Sequence, residues 1–249
     1  PMMSSILAQR MSSGLESFPL LAIPLFVVAG AAMARGGIAD RLYGFCDTLV
    51  GHWRGGLAQI AVLNSVFMGA MSGSANADAA IDARTIVPVM RKHGYSNAYG
   101  SVISAASSLI APVMPPSIAL IVYGLLTDTS IGKLFLGGVI PALIIATALM
   151  LTVRWTAIRL NLQPSRAARA GPAEVFNYGR AALWALAMPV MLLFGLRGGW
   201  FTPTELGAVA AIYAYFVGTV VYRGITLRGT FDLLAESAAT TAGVMFIVA

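Results

Sequence analysis

Charge is scarce in this chain. Only 10% of its 249 residues are Asp, Glu, Lys or Arg, while 58% are hydrophobic; a water-soluble domain carries about 25% charged residues. The shortage argues against a soluble globular protein and for an integral membrane protein. Cysteine is nearly missing too: Cys46 stands alone, which excludes an internal disulfide or a redox pair. The two histidines, His52 and His93, lie far apart in basic stretches, so no His/Cys cluster with metal-ligand spacing exists. An intramembrane serine hydrolase using Ser72 or Ser74 would need a histidine at similar depth, and neither histidine offers one. The opening residues do not read as a signal peptide, and both ends are expected to be cuts within a longer protein.

What is present is apolar sequence in membrane-length runs. Residues 18–34, 132–153, 181–196 and 206–222 carry at most one charge each, Lys133. Residues 97–126 carry none, but Pro112, Pro115 and Pro116 interrupt them, and proline removes a helix donor and clashes with the preceding turn. The net charge of +6 sits at the ends of these runs, where it orients a membrane protein rather than binding nucleic acid. Setting the basic segment 154–180 in the cytoplasm leaves, of 16 Lys and Arg, only Arg10, Lys133 and Arg197 outside. On this topology residues 35–54 and 84–93 both face the cytoplasm. The arms between them, 57–71 and 79–90, are too short for two spans of about 20 residues. A re-entrant hairpin over 57–90, turning at Ser72-Gly73-Ser74, resolves this.

The fold class expected is therefore all-α: a polytopic membrane protein with a re-entrant helical hairpin and a broken helix. Its parts are arm helices with one span over 1–56, the hairpin (57–90) and broken helix (97–126) within 57–131, a span over 132–153, a cytoplasmic linker over 154–180, and further helices over 181–249. The tip is polar: Ser72, Ser74, Asn76 and Asp78 fall within a few residues. The second break runs from Ser107 and Ser108 through the prolines to Ser117. Backbone broken at membrane depth is tolerated only where protein or a water-filled cavity covers it, and it is the device by which secondary transporters bind ions and substrates. Hydroxyls and carbonyls suit a weakly held Na⁺. A tight helix contact through Gly69 and Gly73 at GxxxG spacing is the plainer reading of the tip. Asp78 either binds at depth or caps the second arm. Asp82 and Arg84 are expected nearer the cytoplasm, paired or solvated, and Asn64 serves either packing or the site. No arginine is expected in the deep polar segments to clamp a carboxylate.

Five stretches resemble, in order, the large DctM-like membrane subunit of tripartite ATP-independent periplasmic (TRAP) transporters. They are SGLESFPLLAIPLFVVAG (Ser13 to Gly30), GHWRGGLA (Gly51 to Ala58), MSGSANADAA (Met71 to Ala80), ASSLIAPVMPPSIALIVYG (Ala106 to Gly124) and FTPTELGAVAAIYA (Phe201 to Ala214). The resemblance implies a non-enzymatic elevator-type transporter of the bacterial inner membrane with two inverted repeats. It would import organic acids such as C4-dicarboxylates or sialic acid on a Na⁺ gradient. A periplasmic binding protein would deliver the substrate and a small four-helix membrane subunit would brace the permease; Na⁺ is the coupling ion and no other cofactor is implied. The implied Na⁺ residues are Ser72, Gly73, Ser74, Asn76, Ser107, Ser108 and Pro112; the substrate residues are Ser74, Asp78, Pro115, Pro116 and Ser117. Asp82-Ala83-Arg84 departs from the small neutral residues many members carry there. The resemblance also implies a helix before Pro1, scaffold helices over 1–56, half of a transport domain over 57–131, and scaffold helices with the start of a second repeat over 181–249, the repeat continuing after Ala249. The rival reading is an ion-coupled carrier of the same hairpin architecture without a binding protein.

Overall fold

The structure, a computed structural model, describes residues 18–248. Arg10, Ser13 to Ser17 and Ala249 lie outside the described residues. After a 3-10 turn over Phe18–Leu21 come ten helices: α1 Ala22–Arg35, α2 Ile38–Val50, α3 Gly56–Ser72, α4 Ala75–Lys92, α5 Asn97–Ser108, α6 Ile118–Leu126, α7 Ile131–Arg159, α8 Pro172–Arg197, α9 Pro203–Phe216 and α10 Leu227–Val248. A π-helical turn, Val217–Val221, prolongs α9. No strand occurs among the described residues, in keeping with the all-helical expectation.

Three helical segments are long and apolar enough to cross a membrane: α7, α8 and α9 with its π-helical extension. Their outward faces carry Ile140, Ile144, Leu151, Phe194 and Ile212, all exposed. Such a belt would aggregate in water and costs nothing against lipid tails. The turn and α1 together (Pro19–Arg35) bend by 69° into α2, so the pair counts as at most one span. The bend lies at Gly36-Gly37, where Gly37 takes the left-handed conformation (φ 72°) that side chains resist.

α3 is buried on nearly every side, from Gly56 to Ser72. That explains why it has no polar face, its few polar side chains, Gln59, Asn64 and Ser65 among them, being buried with the rest: there is no solvent to turn one towards. One apolar cluster gathers around α1, with Phe26, Met33, Leu42, Met71, Phe135 and Leu206; another gathers around α3, with Ile60, Ile86, Met90, Ile103 and Val153. α1 is gripped from two sides. Gly207 of α9 brings its backbone against Leu25, and Gly30 of α1 lies so close to Ser72 that a Cβ there would sit 2.9 Å from the Ser72 Cα. α9 begins on a capping box, Thr202 and Glu205 satisfying each other's backbone N–H groups behind Pro203.

The linker is shorter and firmer than its composition suggests. α7 continues past Val153 to Arg159 and α8 starts at Pro172, leaving only 160–171 irregular. Within it Arg166 bridges Asp47 (2.5 Å) and Glu174 (2.7 Å), and Ser165 donates to Asp47 at 2.8 Å. The backbone N–H groups of Ser165 and Arg166 both donate to the Gly51 carbonyl. The GHWRGGLA stretch is the receiving surface: Gly55 (φ 73°) abuts Ala157, and a Cβ on Gly56 would fall 2.3 Å from the Gly51 oxygen.

Candidate ion and substrate site

The hairpin and the broken helix meet at their breaks. α3 ends as Gly73 turns left-handed (φ 58°), and Ser74 opens α4 as its N-cap, accepting from the Ala77 N–H. The arms run antiparallel about this turn, since Asn64 on α3 donates to Asp82 on α4 at 3.4 Å. α5 stops at Ser108; residues 109–117 turn irregularly through a cis Pro115–Pro116 peptide, and Ser117 N-caps α6 by accepting from Leu120 N–H. The Ser117 hydroxyl also donates to the Pro112 carbonyl at 2.5 Å, tying the break to itself.

Two glycines set how closely these breaks approach. A Cβ at Gly69 would meet the Ala111 Cα at 2.7 Å; one at Gly73 would meet the Pro116 oxygen at 2.2 Å and the Ser117 Cα at 2.9 Å. The GxxxG spacing thus packs α3 onto the break itself, so the tight-contact and site readings describe one surface. The N-termini of α4 and α6 come together there, and both carry partial positive charge that favours an anion.

A cavity of about 510 Å³ opens on this junction. Ser72 and Ser74 line it, with Ala77, Ile81, Arg84 and Thr85 from α4 and Ile118 from α6. Its opposite wall comes from α1, the start of α2 and α10, where Arg35 pairs with Glu236 at 2.5 Å. Arg84 is exposed and forms none of the ion pairs found among the described residues. Arg84, expected to be paired or solvated, is solvated, and it shares the cavity wall with Ser74. The stripe Ala77, Ile81, Arg84 has the three-to-four spacing of one helical face, which carries Arg84 round to the Ser74 side.

The other candidates separate into groups. Ser107 is fully buried and turns away from the tip, donating to Asp82 at 3.4 Å and to the Ser104 carbonyl. Ser108 donates to Ala105 O at 2.9 Å. Asn76 is exposed and outside the cavity lining. Pro115 and Pro116 instead line a small apolar gap together with Phe26, Phe135, Leu192 and Leu206. Ser117 is buried at its cap. Of the substrate candidates, Ser74 alone lines the cavity.

Asp78 and Asp82 sit on the inner face of α4, both fully buried. Asp78 is not the cap, a role Ser74 takes. Asp82, expected to be paired or solvated, is neither: it accepts only from the Asn64 amide and the Ser107 hydroxyl. Neither carboxylate pairs with any cationic side chain among the described residues. The i,i+4 spacing of the two aspartates was the signal available in the sequence, since it puts both on one helical face.

The chain matches, over residues 2–249, the family described as tripartite ATP-independent periplasmic transporter, DctM component. It is 44% identical, over 98% of its length, to the 2,3-diketo-L-gulonate TRAP transporter large permease of Escherichia coli, covering 57% of that protein. It is 40% identical over 98% of its length to the C4-dicarboxylate large permease of Pseudomonas aeruginosa (56% of that protein). It is 39% identical over 97% to the sialic acid large permease of Vibrio cholerae, again 56% of it. The chain thus spans somewhat over half the length of these relatives, each named as a transport permease and not as an enzyme. Together with the hairpin and broken helix meeting at their tips, these matches place the chain in the TRAP transporter large permease family.

Proposed function

We propose that this chain contributes an ion- and substrate-binding half-site to the large permease of a Na⁺-driven TRAP transporter that imports an organic acid. The observation that carries this is the junction of Gly73 with Pro116 and Ser117 beneath a cavity lined by Ser72, Ser74 and Arg84. Two helix N-termini and a guanidinium favour a carboxylate in that cavity. Hydroxyls and unwound carbonyls of the tip and the break favour Na⁺ beside it. The hairpin with α5 and α6 moves as the transport domain of an elevator, against a scaffold containing α1 and α9. A periplasmic binding protein delivers the substrate, and a small four-helix membrane subunit braces the permease in the bacterial inner membrane. The relatives' names span a keto sugar acid, a dicarboxylate and sialic acid, so the common chemistry is a carboxylate on a polar body.

The test is uptake of such acids by proteoliposomes holding the full-length permease, its small subunit and its binding protein. Uptake is expected to need both an inward Na⁺ gradient and the binding protein. Uptake without the binding protein would instead identify an ion-coupled carrier of the same architecture. Na⁺ activation unchanged in the Ser72→Ala, Ser74→Ala double variant would remove the tip from the site.

A further inference from the structure

Behind the tip, on the face of α4 turned away from the cavity, lies a second polar cluster with an excess of acceptors. Asp82 receives the Asn64 amide and the Ser107 hydroxyl, each at 3.4 Å, so its negative charge is met by two donors. Asp78 receives none: both of its oxygens are buried without a hydrogen-bond partner. Two further buried oxygens beside them are also unpartnered, Asn64 Oδ1 and Ser65 Oγ. Ser65 lies against both carboxylates but outside hydrogen-bonding geometry. Asn64 and Ser65 are 1% and 0% exposed, so neither oxygen faces bulk solvent.

The two Asp78 oxygens, Asn64 Oδ1 and Ser65 Oγ make four unpartnered oxygens from two helices, and neither Asp78 nor Asp82 has a cationic partner among the described residues, so the cluster holds buried negative charge with nothing positive beside it. The geometry points to a second cation site, for a small monovalent ion such as Na⁺, formed by Asp78, Asp82, Asn64 and Ser65 and separate from the tip. All its donors are hard oxygens, which suit an alkali cation; no group of three His, Cys, Asp or Glu gathers among the described residues, so the set does not suit a transition metal. Access is short. Asp78 is one turn, about 5.4 Å along the helix, beyond Ser74 on the cavity wall. A cation here would also hold α3 to α4, and the Asp82–Ser107 bond would pass that ordering to α5. The site goes beyond the tip reading and does not depend on it.

Equilibrium binding of radiolabelled Na⁺ to the purified full-length permease, with its small subunit, tests this without transport. Asp78→Asn is expected to bind one fewer Na⁺ per permease than the unaltered protein. Ser65→Ala, which removes one ligand and little packing, is expected to keep the count and raise the half-saturating Na⁺ concentration about tenfold. The Ser72→Ala, Ser74→Ala variant is expected to retain the Asp78-dependent ion, so failure of the tip reading is seen separately. An unchanged count in Asp78→Asn, with unchanged affinity in Ser65→Ala, overturns the proposal. So does an Asp78-dependent uptake of protons in place of Na⁺, or displacement of the ion by Ca²⁺ at equal concentration. Should Asp78→Asn not fold, the Ser65→Ala affinity decides alone.

Discussion

Replacing Gly73 with alanine tests whether the contact between tip and break is what forms the ion site. Two costs are combined in it, and two other glycines separate them. Gly73 is left-handed (φ 58°), a conformation costing a side-chain-bearing residue about 1–2 kcal/mol. The new Cβ would also lie 2.2 Å from the Pro116 oxygen, a gap that must widen to at least 3.0 Å. Both sides are backbone, so the tip and the break must part; overpacking of this kind costs about 1–3 kcal/mol. The sum expected for Gly73→Ala is about 2–5 kcal/mol. Gly94→Ala carries only the first cost, since Gly94 has φ 82° and nothing within 4 Å. Gly69→Ala carries only the second, with its Cβ 2.7 Å from the Ala111 Cα. Thermal unfolding of the full-length permease, titrated with Na⁺ against choline, reads both stability and ion binding. Gly94→Ala should lower stability slightly and leave Na⁺ stabilisation intact. Gly73→Ala and Gly69→Ala should weaken Na⁺ stabilisation as well. If Gly73→Ala behaves like Gly94→Ala in both readouts, the apposition of tip and break does not build the site.

Three further outcomes follow from the same geometry. Arg84→Gln should cost about 1.5–3 kcal/mol of substrate binding, lowering affinity at least about tenfold, and Arg84→Lys should restore part of it because the charge returns without the planar fork; equal affinity in all three proteins would show that Arg84 does not touch substrate. Arg166→Ala should remove the ion pairs to Asp47 and Glu174 while leaving the backbone bonds to Gly51, costing about 1–3 kcal/mol and loosening 160–171 enough for earlier proteolytic cleavage there; cleavage at the rate of the unaltered protein would mean the ion pairs contribute nothing. Single cysteines at Arg54 and Lys92, in a background lacking the buried Cys46, should both label from the cytoplasmic side, and labelling from opposite faces would refute a re-entrant hairpin.

The material of the fold and the places where its helices break are legible in the residues alone. Scarce charge, apolar runs and interrupting prolines require helices with irregular segments, because those constraints are local: hydropathy sets what a segment can face, and proline or glycine sets where a helix stops. Ser74, Ser117 and the Thr202/Glu205 pair declare their helix starts in the same local way. Which faces meet is set by packing between segments far apart in the chain. Residues Asp78, Asp82 and Arg84 span two turns of one helix, yet α4 turns Arg84 to the cavity and both aspartates inward to α3 and α5. Likewise the charged segment around Arg166 reads as a loose linker until Asp47, from a helix more than a hundred residues earlier, is placed beside it. Solvent exposure, ion pairing and site membership depend on neighbours distant in the chain, and no local pattern encodes those.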